Sequence, residues 1–317
     1  MGRLTLRILL FLLPLLLVVP LLEFSLRRIP NDYRFKKEYL DRHAGEIEVL
    51  VLGNSHTYYG VDPQYYEGSC FNAAIYSQTL GYDYEILKLY ADRLEKLRVV
   101  VVSISYHSLY SLLETGPSKF RVTDYTLYYG MDVANSLKDH FELLGKQFSV
   151  NVKELVSYYI RKKKPLSCDE LGWGTIHSSA DRQDLDLSGA TAAKRHRAYV
   201  EHAAEGNLQE NLACLQDMIG LCGEMGAGLL LVTTPSFKSY YSRLDPVTMK
   251  QTEHMLNDLM APHPLCRYVN LLEDPGFRAS DFYDADHVNE VGARKLSLLL
   301  FRLAEELQVE IVSETAQ

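Results

Sequence analysis

The sequence predicts an α/β protein, a three-layer sandwich built on a parallel sheet of about five strands. Three observations predict it. Short apolar runs rich in Val, Ile and Leu recur along the chain. Segments with the 3.6-residue apolar spacing of helices separate them. Several of the runs stop abruptly at Gly, Pro or a small polar residue, as buried strands do where they meet a tight turn. A length of 317 residues with 47% hydrophobic content suits one large domain carrying insertions.

The chain begins with Arg3 and Arg7 ahead of an unbroken apolar run, Ile8–Leu22. That run is short for a membrane span and suits a signal segment, and no small-residue cleavage site follows it. We therefore expect residues 1–28 to form an uncleaved membrane anchor. Arg27, Arg28, Arg34, Lys36 and Lys37 follow the run and would draw that end to the cytoplasm. A basic leader before an apolar run exports what comes after it, and we expect the remainder to be extracytoplasmic. Residues 29–46 read as a linker, with a turn at Pro30-Asn31-Asp32 entering a short amphipathic helix.

The sheet domain is then expected over 47–317. Strand one is Ile47–Leu52, ending in Gly53-Asn54-Ser55-His56. Cys70–Ile75 reads as strand two, and residues 79–97 as a helix with Leu80, Ile86, Leu87, Leu89, Tyr90, Leu94 and Leu97 at helical spacing. Val99–Ser105 is a β-branched run of the kind found in central strands. The pattern breaks over about 107–200, a tyrosine-rich stretch that includes the basic run Arg161–Lys164. A structureless loop of that length is implausible in a compact domain. We expect an insertion with its own helix at 135–163, placed after strand three where it could roof a site. Alternation resumes with a helix at 203–225, strand four at Leu229–Thr234, a helix at 245–261, strand five at Tyr268–Leu272 and a closing helix Glu290–Leu307. Five such strands with right-handed crossovers give a flavodoxin-like sheet.

Composition narrows the function classes. A net charge of −8 and a pI near 5.7 argue against nucleic acid as a partner. The five cysteines are scattered without a CxxC, and the ten histidines show no paired ligand spacing on a helix, so no metal or other cofactor is expected. The loop after strand one has a single glycine and none of the phosphate-cradling motifs.

In open parallel sheets, chemistry collects at the carboxyl ends of the strands. Ser55 would sit there, just past the glycine turn. Serine needs a base to become a nucleophile. Near the other end of the chain, Asp284-Ala285-Asp286-His287 offers an imidazole with a carboxylate three residues before it. His287 would take the Ser55 proton, and Asp284 would hold the imidazole in the required tautomer. Asp286 is the rival carboxylate, but its adjacency to His287 makes alignment harder. His56, beside Ser55, points about 100° away on a helix start and is expected to contact substrate or support the site.

G-x-S at Gly53–Ser55 and D-x-x-H at Asp284–His287 resemble the first and last blocks of the SGNH (GDSL-like) hydrolases. The resemblance runs as a pattern of blocks over residues ~45 to ~307. It implies the three-layer sandwich and a catalytic Ser55, Asp284 and His287. Asn54 stands where the first block often has Asp. The second block implies an oxyanion donor beside the Ser55 N–H, and Asn72, after strand two, is the candidate, donating by its side chain or shaping the turn so that a backbone N–H does. The third block would be Gly-x-Asn; here the place reads Ser103-Ile104-Ser105-Tyr106-His107, leaving Ser105, Tyr106 or His107 as substitutes. Asn54, His56 and His107 are thus expected near the site. The activity implied is a serine esterase or O-acyltransferase on an acylated cell-envelope glycan or small ester. The alternative is a catalytically weak module that binds a glycan or a membrane-bound partner enzyme.

Overall fold

The computed structural model describes residues 2–315, with the backbone alone for 3–6, 8–12, 14, 15 and 310–315. The chain forms two compact units: 1–37 with 117–166, and 38–116 with 167–317.

The larger unit holds the sheet. Its strands are β1 (Val49–Leu52), β2 (Cys70–Asn72), β3 (Val99–Ser103), β4 (Gly228–Thr233) and β5 (Cys266–Asn270). All four pairings are parallel and the order is β2-β1-β3-β4-β5. Five parallel strands covered on both faces are the predicted three-layer sandwich. Each strand starts or stops within a few residues of its predicted bounds; β2 and β3 are shorter than expected, although the residues just past them still bond to the neighbouring strand, Ile104 N–H donating to Val232 O of β4. Ala73 N–H donates to Val51 O and Ile75 N–H to Gly53 O.

The helices follow in chain order. α1 is Arg3–Arg27, α2 Asp32–His43, α3 Ser55–Gly60 and α4 Leu80–Tyr90. Next come α5 (Val122–Asp124), α6 (Glu142–Gly145) and α7 (Phe148–Leu155). The last five are α8 (Leu185–Glu201), α9 (Asn207–Glu224), α10 (Lys238–Tyr241), α11 (Pro246–Met260) and α12 (Glu290–Thr315). Alternate strand residues face opposite layers. Val49, Val51, Val99, Val101, Leu230 and Val232 pack against Leu296, Leu300, Phe301 and Ala304 of α12. Leu50, Leu52, Val100, Val102, Leu229 and Leu231 alternate with them and are fully buried as well. That two-sided burial is why these strands read as continuous apolar runs and not as alternating ones. The order changes direction between β1 and β3, and ligands bind at such switch points in doubly wound sheets.

The smaller unit departs from expectation. The insertion predicted over 107–200 is divided: 117–166 joins the N-terminal residues, and 167–200, including α8, belongs with the sheet. The single helix predicted at 135–163 is broken into α6, α7 and a wide final turn at Val156–Ile160. Gly145 lies so tightly against Thr123 that a Cβ there would come within 1.9 Å of its Oγ1. The helix ends at that contact. Lys146 follows, buried, its Nζ 2.8 Å from Asp124 and 2.9 Å from Glu142. The expected linker is largely helical, as α2.

The apolar run Ile8–Leu22 lies within α1. Among the described residues no helix is long and apolar enough to cross a membrane, so the expected span is not found there. The side chains of 8–12, 14 and 15 lie outside the described residues.

Candidate active site

Strand β1 runs out at Gly53, whose φ of +111° is a conformation that side-chain-bearing residues avoid. A Cβ there would also fall 2.2 Å from Ser103 Oγ. The turn is pinned from three sides. Asp83 of α4 accepts the Gly53 N–H at 2.6 Å. Thr57 Oγ1 donates to Leu52 O at 2.8 Å. Asn54 caps α3, its Oδ1 accepting the His56 N–H at 3.0 Å. Burial pushes the Asp83 carboxyl up to about 7, against the opposing pull of its bonds from Gln78 and Gly53. Ser55 is thus delivered at the first position of a short helix, where its own N–H has no intrahelical acceptor.

The turn ahead of α12 approaches it. His287 Nε2 lies 2.8 Å from Ser55 Oγ. His287 Nδ1 lies 3.1 and 3.2 Å from the two carboxylate oxygens of Asp284. Asp284 Oδ1 also accepts the backbone N–H groups of Asp286 and His287, which fixes the turn that carries both partners. Burial, the largest single influence, works against the His287 imidazolium, yet the Asp284 carboxylate and, after it, Asp286 together outweigh it and hold the pKa above the usual histidine value. For Asp284, burial alone would raise the carboxyl, and the His287 ring outweighs it and holds it below the usual range. The three residues singled out from the two sequence blocks are therefore in mutual hydrogen-bond reach, 232 residues apart along the chain.

Of the two roles expected of Asn72, the side-chain donor is ruled out. Its Nδ2 donates to Thr57 O at 2.8 Å and Val61 O at 2.7 Å, and its Oδ1 accepts the Ala74 N–H. Both amide hydrogens are spent on backbone, so it ties α3 to β2 and cannot hold an oxyanion. Substituting Asn72 with alanine strands the Val61 carbonyl and the Ala74 N–H in a fully buried site. We expect a loss of about 1–3 kcal/mol for each orphaned group, read as a lower denaturant midpoint, with kcat per folded molecule little changed.

Asn54, His56 and Ser105 form a second network. Asn54 Nδ2 donates to Ser105 Oγ at 2.8 Å. His56 Nδ1 is 2.8 Å from both Asn54 Oδ1 and Ser105 Oγ, and its Nε2 is 3.1 Å from Asp286 Oδ1. The His56 ring stacks on His287, with centroids 4.8 Å apart and planes 17° from parallel. Asp286, read from sequence as a rival for the Asp284 role, is instead the partner of His56. It is 2% exposed, and its second oxygen lies 3.8 Å from His196 Nε2. Burial would raise the Asp286 carboxyl, but His196 and His56 outweigh it and hold it well below the usual range. His107, expected near the site, lies against His196, with ring centroids 4.3 Å apart and planes 38° from parallel.

Asp286→Asn is expected to lower the His287 midpoint by less than loss of Asp284 does, because Asp286 favours the imidazolium from farther away. It should also cost about 2 kcal/mol in stability, since His56 and His196 lose a buried charged partner. A pH–rate profile set beside a thermal melt separates the two effects.

His177 was not foreseen. Its ring is sandwiched between Tyr59 at 3.6 Å and Tyr283 at 4.1 Å and stands edge-on to His287 at 5.1 Å. It belongs to the 167–184 part of the predicted insertion, which folds over α3: Trp173 Nε1 donates to Tyr59 O, and Gly174 N–H to Tyr58 O. Burial, with His287 next in weight, pushes His177 down to about 3. Burial likewise takes His196 down to about 4. These rings are therefore neutral at pH 7, and the charges acting on His287 are those of Asp284 and Asp286, opposed by Arg195.

His56, Asp286 and His287 bring potential ligand atoms within 4.8 Å of one another. The two stacked, near-parallel rings cannot both hold one ion in their planes, which imidazole coordination requires.

No protein-family model matches the sequence, and no curated protein matches it. Among solved structures, the chain is similar to one described as "The structure of a putative platelet activating factor from Streptococcus pneumonia". The alignment covers 90% of this chain and 98% of that one, at 12% identity and a TM-score of 0.41. A likeness that remote bears on neither the reaction nor the substrate.

Proposed function

We propose that the chain is an SGNH-type serine esterase or O-acyltransferase acting on an acylated cell-envelope glycan. The reading rests on one observation: Ser55 Oγ, His287 and Asp284 are linked by hydrogen bonds at 2.8 and 3.1 Å. In this reading His287 removes the Ser55 proton as Oγ attacks the ester carbonyl. The imidazolium that forms is stabilised by Asp284 and then protonates the leaving alcohol. Water or a sugar hydroxyl resolves the acyl-enzyme by the reverse sequence. The Ser55 N–H and the second Asn54 side-chain N–H are the donors in this loop that are left for the oxyanion. The N-terminal helix tethers the enzyme at the membrane, with the catalytic unit on the extracytoplasmic side.

The test is covalent labelling of the full chain with a fluorophosphonate, followed by assay on O-acetylated polysaccharide with and without an acceptor glycan. Labelling at Ser55 with release of acetate supports hydrolysis, and label plus transfer to the acceptor supports an acyltransferase. A folded chain that takes no label favours the second reading, a binding module. The commitment of Asn72 to the backbone favours that alternative, because it removes one expected oxyanion donor.

A further inference from the structure

The unit formed by 1–37 and 117–166 carries a surface that the sheet unit's chemistry does not use. Four hydrogen bonds gather its parts at the C-terminal end of α1. The Glu23 carboxylate accepts the backbone N–H groups of Glu142 and Leu143, each at 3.0 Å, and so caps α6. Tyr159 Oη donates to Ser25 O at 3.0 Å. Arg27 donates to His140 O. Beside these anchors, large apolar side chains point into solvent: Leu144 is 63% exposed, Phe148 68% and Ile160 74%. Leu21, Phe24 and Val152 are exposed with them. An apolar patch left open on a soluble surface marks an interaction site.

The exposed charge around the patch is mainly positive. Residues 133–166 contain seven Lys and Arg against three Asp and Glu, in a chain of net charge −8. Lys138, Lys153 and Arg161 to Lys164 are exposed, whereas Asp139 and Glu142 are buried and Glu154 is partly covered. Arg28 lies over the Phe24 ring at 4.3 Å, at the same end of α1. Exposed apolar side chains ringed by Lys and Arg, continuous with an apolar N-terminal run, fit the boundary between acyl chains and anionic headgroups.

We propose that the 133–166 segment is a membrane-seating surface, docking the protein on an anionic lipid bilayer through Leu144, Phe148 and Ile160 and the Arg161–Lys164 run. It sits where the α1 apolar run ends, so the two act side by side. The proposal goes beyond the esterase reading and stands whether or not Ser55 is a nucleophile.

The experiment uses the full chain and vesicles of phosphatidylcholine with or without about 30% phosphatidylglycerol. In Phe148→Trp, the new tryptophan is expected to shift to the blue and to be quenched by lipids brominated near the glycerol. That quenching should exceed the background from Trp173 in the unmodified chain several-fold. Replacing Arg161, Lys162, Lys163 and Lys164 together with glutamine should remove the preference for anionic vesicles. Circular dichroism verifies that both variants are folded. A bound chain with no added quenching at position 148 overturns the proposal. So does an undiminished anionic preference in the neutralised variant, or a lipid-free dimer that buries the position-148 tryptophan.

Discussion

Ser55→Ala is expected to lower ester turnover by at least ~10⁴-fold and to abolish fluorophosphonate labelling. Stability should change by less than about 0.5 kcal/mol, because Ser55 is only partly buried and alanine is accepted at the first turn of a helix. The Gly53 turn is held by Asp83 and Thr57, and the α3 cap by Asn54, none of which relies on the serine hydroxyl. The variant should therefore be as well folded as its parent and catalytically inert. Residual turnover within tenfold of the parent, on purified protein with an intact melt, would remove Ser55 from the nucleophile's role.

Asp284→Asn should act through the base. An amide NH₂ set against His287 Nδ1 forces that nitrogen to be the acceptor and puts the ring proton on Nε2, facing Ser55 Oγ. The tautomer is then wrong for proton removal, and the expected loss in kcat is about 10³–10⁴-fold. The pH dependence should move as well. In the native protein the His287 pKa stands above the usual value of 6.5, so activity should rise with pH through a midpoint above 6.5. Asp284 is the largest influence raising it, and its neutral replacement should bring the midpoint down. Stability should run the other way. The raised folded-state pKa gives a stabilisation that is complete below the unfolded value near 6.5 and is lost as pH climbs through the folded one. The rate should therefore climb over a range in which the melting temperature slips. A pH–rate profile unaffected by Asp284→Asn would count against the pairing.

Much of the architecture could be read from residue patterns. The apolar runs at 47–52, 99–105 and 229–234 declared strands because a parallel sheet buries both faces. Ser55, Asp284 and His287 were legible because each sits at a turn whose spacing is local: a glycine two residues before the serine, and a carboxylate three before the histidine. What failed was non-local. Asn72 has the right chemistry for a donor, but nothing in the sequence tells that its two hydrogens meet the carbonyls of Thr57 and Val61. The helix expected at 135–163 is interrupted at Gly145, which packs against Thr123, more than twenty residues upstream. His177 and the Asp286–His56 pair were hidden for the same reason. Their neighbours, Tyr59, Tyr283 and His196, come from separate elements.

The Glu23 cap joins residues 119 positions apart. At ~5–20 residues per second, a ribosome needs ~6–24 s to produce α6 after Glu23 has left it. Throughout that interval the leading helix lacks the α6 partner that its Glu23 carboxylate caps. A targeting factor or the bilayer itself can reach it before its own chain does. In the membrane-tethered reading proposed above, birth order would present this helix to lipid ahead of completion of the unit around it.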